Sequence, residues 1–199
     1  MAKLFMMTGV PASGKSYVSE KIAKRENAII YSSDIVRKKL DMDPSSDKQN
    51  VQLFDIMYDM IQEELAKGNN VVLDSTNTYR KYRKPFLQSL SEETEVTGVL
   101  LMRQIENCLK ANSDRDNSID ESVIRMMYEE YDIPLQEDGY DRFEIVYPDE
   151  DEFSLNEIEE DKPNIMAYRS MFLNNGMDRY EKLKKAQEMT MKQDKNDEE

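Results

Sequence analysis

Short apolar runs alternate with helical periodicities along most of the chain. The runs KLFMMT, AIIY, NVVLD and EVTGVLLM predict strands, and NVVLD has no polar interruption until Asp74, as is typical of a central buried strand. Between them, apolar residues recur at helical spacing, most clearly over residues 49–66, where the pattern ends at Gly68. This alternation predicts an α/β fold in which crossover helices flank a parallel sheet.

The same pattern predicts further elements on both sides of that central part. Ser118 and Glu121 form a capping-box signature ahead of the apolar positions Ile124, Met127 and Tyr131, and RFEIVYP resembles a last strand. Further helices are expected at residues 15–25, about 34–40, 78–90 and 104–112. Beyond Pro148 we expect a solvated acidic loop, one or two helices over residues 163–189, and a disordered tail. The expected division is therefore a domain over residues 1–148, an acidic segment with a helical extension over 149–190, and a tail over 191–199.

Charge and composition narrow the function classes. The net charge of the 199 residues is -14, but residues 149–161 alone hold eight acidic residues and no basic one, so the rest of the chain is only mildly acidic. No apolar stretch approaches the roughly 18 residues of a membrane span, and we expect a cytoplasmic protein without a membrane partner. Cys108 is the single cysteine and histidine is absent, which excludes an internal disulfide and argues against a zinc site. A catalytic base would therefore be a carboxylate, and a catalytic metal would be bound by oxygen.

The stretch from Gly9 to Ser16 has the pattern G-x-x-x-x-G-K-S between a predicted strand and a predicted helix, which is the context of a phosphate-binding loop. Glycines allow a tight turn and a close approach of the backbone to a polyphosphate, and the N–H groups at the helix start point towards it. Lys15 would neutralise the β and γ phosphates, and the Ser16 hydroxyl would bind Mg²⁺. ATP and Mg²⁺ are the expected cofactors. The predicted nucleotide-binding residues are Gly9, Pro11, Ala12, Ser13, Gly14, Lys15, Ser16 and Tyr17.

Charged residues follow the predicted strands, at the sheet edge where ligands bind in open α/β folds. Asp34 and Arg37 lie three residues apart after the second strand, Asp74 ends the third, and Arg115 lies in the polar stretch NSDRD. Residues 79–85, YRKYRKP, interleave basic and aromatic side chains, as in surfaces that bind a nucleotide backbone and stacked bases. Structural roles remain open for each of them: a helix cap or first-turn acid for Asp34, a cap for Asp74, and solvated surface for the cations.

The phosphate loop, the D-x-x-R pair, DSTN after the third strand, and RDNSIDESVIRMMYEEYDIP with DGYDRFEIVYP together resemble the P-loop kinases of the polynucleotide 5'-hydroxyl kinase family over residues 1–148. The resemblance implies a P-loop kinase fold with a small lid. It also implies that Asp34 is the general base, that Arg37 contacts the acceptor or the transferring phosphate, and that Arg115 is a lid arginine. Asp74 would orient Mg²⁺ through water. Ala111 and Asn112 stand where many relatives carry Arg-Asn, so the lid has fewer charges than that pattern, and no Asp-x-Asp-Gly phosphatase signature is present.

These observations favour an ATP- and Mg²⁺-dependent kinase whose acceptor is the 5'-hydroxyl of DNA or RNA. The expected catalytic residues are Lys15, Asp34, Arg37 and Arg115, with Ser16 and Asp74 at the metal. The expected substrate-binding residues are Asp34, Arg37, Thr76, Asn77, Arg80 and Arg83. Two alternatives are a kinase for a small molecule such as a nucleoside, nucleotide or antibiotic, and a nucleotide-dependent binding module without catalysis.

Overall fold

A computed structural model of the chain describes residues 1–148 and the backbone of residues 155–158. The chain divides at Pro163 into two units, and all described residues belong to the first. They form one six-stranded sheet with the spatial order β2-β3-β1-β4-β5-β6, in which β1 to β5 are parallel and β6 is antiparallel to β5. The strands are β1 (Lys3–Thr8), β2 (Ala28–Ser32), β3 (Asn70–Asp74), β4 (Glu95–Leu101), β5 (Arg142–Val146) and β6 (Leu155–Ile158).

Helices follow the parallel strands and return the chain to the start of the next one, as the alternating pattern predicts. The α/β fold with a parallel sheet flanked by helices is confirmed. The helices are α1 (Lys15–Glu26), α2 (Ser33–Lys39), α3 (Asp47–Ala66), α4 (Arg80–Gln88), α5 (Ile105–Ser113) and α6 (Glu121–Glu129), and a short 3-10 helix spans Gln136–Asp138.

The core next to the phosphate loop lies between the sheet and α1. Apolar side chains of the central strands pack there against Val18 and Ile22 of α1, and the strands are apolar at consecutive positions because both faces of the sheet are covered. This packing fixes α1 behind the carboxyl end of β1. The buried cluster is Phe5, Met7, Val18, Ile22, Val72, Val99, Leu101 and Val146.

The expectation of an irregular loop throughout residues 149–161 is wrong, because β6 lies within that segment. β6 pairs with β5 from Val146↔Leu155 to Phe143↔Ile158. Without β6, the backbone N–H and C=O groups of β5 would form an open sheet edge. The acidic sequence misled the prediction, because a charged edge strand is compatible with solvent and discourages pairing with other chains.

The start of α6 also differs from the predicted capping box. The N-cap is Asp120, whose carboxylate accepts a hydrogen bond from the Ser122 backbone N–H at 2.8 Å. Ser118 lies two residues before that cap and Glu121 is the first helical residue. Aspartate caps as well as serine does, so the nearer residue satisfies the first turn.

The predicted helices over residues 163–189 and the predicted tail over 191–199 lie outside the described residues. Within the part of the chain that the structure describes, no helix has both the length and the apolar character needed to cross a membrane.

Candidate active site

The loop between β1 and α1 has the geometry that its glycines predict. Gly14, the N-cap of α1, has φ +99°, and a Cβ at Gly9 would lie 2.8 Å from Ser13 Oγ and 3.3 Å from Leu101 Cβ. Ala12 at the apex also has a positive φ, 60°. A left-handed glycine is inexpensive, whereas a left-handed alanine is strained and must be held by its surroundings. The loop therefore has a defined shape with the helix N-terminus at its base.

Lys15 lies at the bottom of this loop. Its side chain is buried, and Nζ donates a hydrogen bond to the Val10 carbonyl oxygen at 2.8 Å. Burial lowers the pKa of Lys15 to about 8, and the nearby carboxylates of Asp74 and Asp34 offset that effect only in part. An ammonium held in this way would gain a strong partner when phosphate oxygens arrive.

Ser16 and Asp74 meet beside Lys15. Ser16 Oγ donates to Asp74 Oδ2 at 2.9 Å, and Asp74 is buried at the end of β3, where desolvation raises the pKa of its carboxyl. A hydroxyl and a carboxylate at this separation are hard oxygen donors, which suits Mg²⁺ bound partly by phosphate and water. Within the described residues, no group of three His, Cys, Asp or Glu side chains forms an all-protein metal cage. The donor set therefore fits a magnesium ion that arrives with a nucleotide.

A cleft of about 360 Å³ opens above these residues. It brings together most of the predicted site, and Asp34 lies on one wall at the start of α2 with its side chain 81% exposed. The cap of α2 is Ser32, so Asp34 is an acid of the first helical turn and is accessible to a ligand. The predicted residues that line the cleft are Pro11, Ala12, Gly14, Lys15, Ser16, Tyr17, Asp34, Asp74, Thr76 and Arg115.

Two predicted arginines lie on or next to the cleft wall. Arg115, in the connection between α5 and α6, lies on the wall near enough to Lys15 for its charge to lower the pKa of that lysine. Arg37 lies behind Asp34, where its guanidinium donates to Asp34 Oδ1 at 3.4 Å and to Asn50 Oδ1 at 2.9 Å. Arg37 is therefore next to the cleft rather than on its wall.

Two predicted substrate-binding residues are buried structural groups. The Arg83 side chain has no exposed surface and donates to the Asn77 carbonyl oxygen at 3.0 Å, so the expectation that it contacts a polynucleotide is wrong. The Asn77 amide donates to the Met7 carbonyl oxygen at 2.7 Å and does not line the cleft.

Arg80 is engaged by acids rather than presented to the cleft. Its guanidinium pairs with Asp138 and with Glu137. These side chains form part of the packing between α4 and the 3-10 helix, which the run of basic residues in the sequence does not reveal.

Other residues on the cleft wall were not predicted from the sequence. Arg103 follows β4, lies on the cleft wall, and donates to the Ala12 carbonyl oxygen at 2.9 Å. Its position just after a parallel strand was a usable signal, since ligands bind beyond the carboxyl ends of such strands. The other cleft residues that were missed are Ser32, Ser33, Ser75, Ala111 and Ile119.

Comparison with known families matches residues 4–134 to the AAA domain family AAA_33. The chain belongs to this family. The match contains the phosphate loop, the β3 acid and the α5–α6 connection. The protein is therefore a nucleotide-binding P-loop domain of the kinase-like AAA type.

Individual relatives differ in what they act on. The chain is 27% identical over 161 residues to the L-seryl-tRNA(Sec) kinase of Methanococcus maripaludis, covering 78% of this chain and 62% of that protein. It thus spans less than two thirds of that curated relative. A gluconokinase from Sinorhizobium meliloti 1021 has a similar structure, with a TM-score of 0.54, 18% identity, and 85% and 89% of the two chains covered. A chain of the Pnkp1/Rnl/Hen1 RNA repair complex has a TM-score of 0.59 and 18% identity, with 82% of this chain and 50% of that chain covered.

Proposed function

We propose that this AAA domain protein transfers the γ-phosphoryl group of ATP to a hydroxyl group, with Mg²⁺ bound alongside the nucleotide. The observation that carries the proposal is the arrangement of one cleft: the buried Lys15 and the Ser16–Asp74 pair lie at its base, and an accessible carboxylate, Asp34, lies on its wall. Phosphoryl transfer needs positioning and charge neutralisation more than covalent catalysis, and this cleft offers both.

Each residue has a defined task in this proposal. The loop N–H groups and Lys15 bind the β and γ phosphates, while Ser16 and Asp74 hold the metal, which neutralises charge on those phosphates. Asp34 accepts the proton of the acceptor hydroxyl as that oxygen attacks the γ phosphorus. Arg115, on the cleft wall, stabilises negative charge on the transferring group, and Arg37 orients the Asp34 carboxylate through its hydrogen bond.

For the acceptor we propose the 5'-hydroxyl of a nucleic acid. Support for an RNA-linked acceptor comes from the L-seryl-tRNA(Sec) kinase and the RNA repair complex among the relatives, and support for a strand-binding surface comes from the exposed basic and aromatic side chains Lys81 and Tyr82 on α4. The choice of the 5'-hydroxyl rests on the sequence resemblance to the polynucleotide 5'-hydroxyl kinases. α4 begins at Arg80, four residues after Thr76 on the cleft wall, so in this proposal a strand whose 5' end enters the cleft continues towards this helix.

A small-molecule acceptor is the second candidate. It is favoured by the burial of Arg83 and the pairing of Arg80 with acids, which remove two of the four α4 cations from contact with a phosphate backbone. A small hydroxyl compound would need only the cleft itself.

The deciding experiment supplies ATP labelled at the γ position, with Mg²⁺, together with three acceptor classes: 5'-hydroxyl DNA and RNA oligonucleotides, nucleosides, and sugars. The matched control is each oligonucleotide carrying a 5'-phosphate. Label on the 5'-hydroxyl oligonucleotide alone is the expected result. Label only on a nucleoside or a sugar would replace the nucleic-acid acceptor with the second candidate and keep the kinase.

A further inference from the structure

The loop of residues 75–79, here called the wall loop, continues the contact between β3 and β1 after the β-ladder has ended. The last register pair between these strands is Met6↔Leu73. Beyond it, the Gly9 backbone N–H donates to the Thr76 carbonyl oxygen at 3.0 Å, and the Asn77 amide donates to the Met7 carbonyl oxygen at 2.7 Å. A side chain thus occupies the place of the next ladder bond, at the point where β1 becomes the phosphate loop.

Asn77 holds this position in a conformation that side chains rarely adopt. Its φ is +45°, in the left-handed region, which asparagine tolerates better than other non-glycine residues. A second interaction fixes its backbone, since Arg83 Nη1 donates to the Asn77 carbonyl oxygen at 3.0 Å. Strained residues of this kind persist where the surroundings determine them from several sides, and they concentrate at functional sites.

The burial of Arg83 points in the same direction. Its guanidinium lies 3.6 Å from Asp138 Oδ2, and neither side chain has exposed surface. A buried ion pair contributes little net stability compared with apolar packing, and here it holds in place the guanidinium that contacts the Asn77 carbonyl oxygen. The geometry that it fixes is that of the wall loop.

We propose that Asn77 is a positioning residue that sets the separation between the phosphate loop and the cleft wall at Thr76, and that Arg83 acts through Asn77. The proposal rests on the proposed function in one respect, namely that the phosphate loop binds ATP. Without the Asn77 amide, the Met7 carbonyl loses its partner and the Gly9–Thr76 hydrogen bond becomes the remaining link between the wall loop and β1 at this point. The loop would then open locally while the sheet stays formed.

The test uses the Asn77→Gly substitution in the full chain. Glycine adopts the left-handed conformation freely, so this change removes the amide contact without adding backbone strain. Hydrogen exchange at the Gly9 amide should become about tenfold faster or more, because its acceptor Thr76 is less well held. The dissociation constant of ATP with Mg²⁺ should rise by roughly tenfold, since misplacement of a binding group by about 1 Å has effects of this size or larger.

Asn27→Gly is the matched control. Asn27 is also left-handed, with φ 51°, but it caps the far end of α1 and is exposed. Its substitution should leave both the Gly9 exchange rate and the ATP dissociation constant unchanged. Asn77→Asp keeps the shape of the side chain but turns a carboxylate oxygen towards the Met7 carbonyl, and it should loosen Gly9 at least as much as glycine does.

Two results would overturn the proposal: a Gly9 exchange rate in Asn77→Gly equal to that of the parent protein, or an equal acceleration in Asn27→Gly, which would indicate general loosening. If the parent protein binds no ATP, the proposed function fails. The exchange rate at Gly9 still decides the role of Asn77 in that case, so the two failures are distinguishable.

Discussion

The buried side chain of Lys15 must be protonated to bind phosphate, although burial favours its neutral form. In the protein without nucleotide its pKa is lowered to about 8 by desolvation. Bound phosphates favour the protonated form, so the pKa in the complex must lie higher, and affinity is lost as pH rises through the lower of the two values. We therefore predict that ATP affinity is full below pH 8 and falls as the pH is raised above it.

Calorimetric titration of ATP from about pH 7 to 9.5 measures this effect. Lys15→Arg is the control, because a guanidinium stays protonated throughout this pH range. The ATP affinity of this variant should therefore not change as the pH is raised. A parent profile as flat as that of the arginine variant would contradict the assigned role of Lys15.

Substitution of Asp34 can distinguish an effect on catalysis from an effect on stability. Because its side chain is 81% exposed, Asp34→Asn removes a base without disturbing packing. We predict that kcat falls by about 10²- to 10⁴-fold, the usual contribution of general-base catalysis. The ATP dissociation constant and the unfolding midpoint should stay as in the parent. A lower unfolding midpoint with unchanged kcat would show that Asp34 only stabilises the first turn of α2.

The site residues within the phosphate loop could be predicted from the sequence. Arg103, which the tertiary structure brings to the loop from a distant part of the chain, could not. Gly9, Lys15 and Ser16 follow from local chain geometry, since the loop and the helix start are consecutive in sequence. Arg103 reaches the loop apex only because β4 lies beside β1 in the sheet. Its partner Ala12 is 91 positions away in sequence, a separation that a local pattern does not encode.

At the scale of elements, the position of a residue around α4 determines whether its charged side chain is buried or exposed. Arg83, Phe86 and Leu87 are its buried residues, at the i, i+3, i+4 spacing of one helix face. That spacing places Arg83 with the apolar residues, and it could have been read from the sequence. The composition of the run, YRKYRKP, suggested a uniformly basic surface instead.

The exposed side of α4 carries the acceptor prediction. Lys81 is exposed and its Nζ lies 4.9 Å from the centroid of the Tyr82 ring, while Lys84 is half-buried. If a polynucleotide docks here, Lys81→Ala with Lys84→Ala should raise KM for a 5'-hydroxyl oligonucleotide and reduce the dependence of KM on salt, because fewer counterions are released. KM for ATP should not change, because neither lysine lines the cleft.

Steady-state kinetics at several salt concentrations provides the measurement. Lys67→Ala is a suitable control, since Lys67 is an exposed cation that pairs with Glu64 at the end of α3. Equal behaviour of the double variant and this control towards oligonucleotides would remove α4 from the acceptor site and favour a small acceptor.

At the scale of the whole molecule, the sheet order explains why distant segments form one site. β1 lies between β3 and β4, so the phosphate loop is flanked by Asp74 on one side and Arg103 on the other. Apolar runs that alternate with helical periodicities sufficed to predict a parallel α/β sheet, because the central strands β1, β3 and β4 are buried at nearly every position. They did not predict β6, because an acidic edge strand lacks that apolar signature.

The distribution of charge agrees with an anionic ligand. The chain carries a net charge of -14, yet Lys15, Arg103 and Arg115 gather on the walls of a single cleft. Cations concentrated in a concave site attract a polyphosphate locally even when the molecule as a whole is acidic. The acidic segment 149–161 should at the same time limit binding of long polyanions.

The central claim is that the cleft transfers the γ-phosphoryl group of ATP, and the most direct measurement is ADP formation as a function of acceptor. With Mg²⁺ and a 5'-hydroxyl oligonucleotide, we predict that the parent protein forms ADP and phosphorylated oligonucleotide in equal amounts. Lys15→Ala should lower this rate by at least about 10²-fold, because it removes the positive charge that neutralises the transferring phosphates. Acceptor-independent ADP formation, or a Lys15→Ala rate close to that of the parent, would contradict the account.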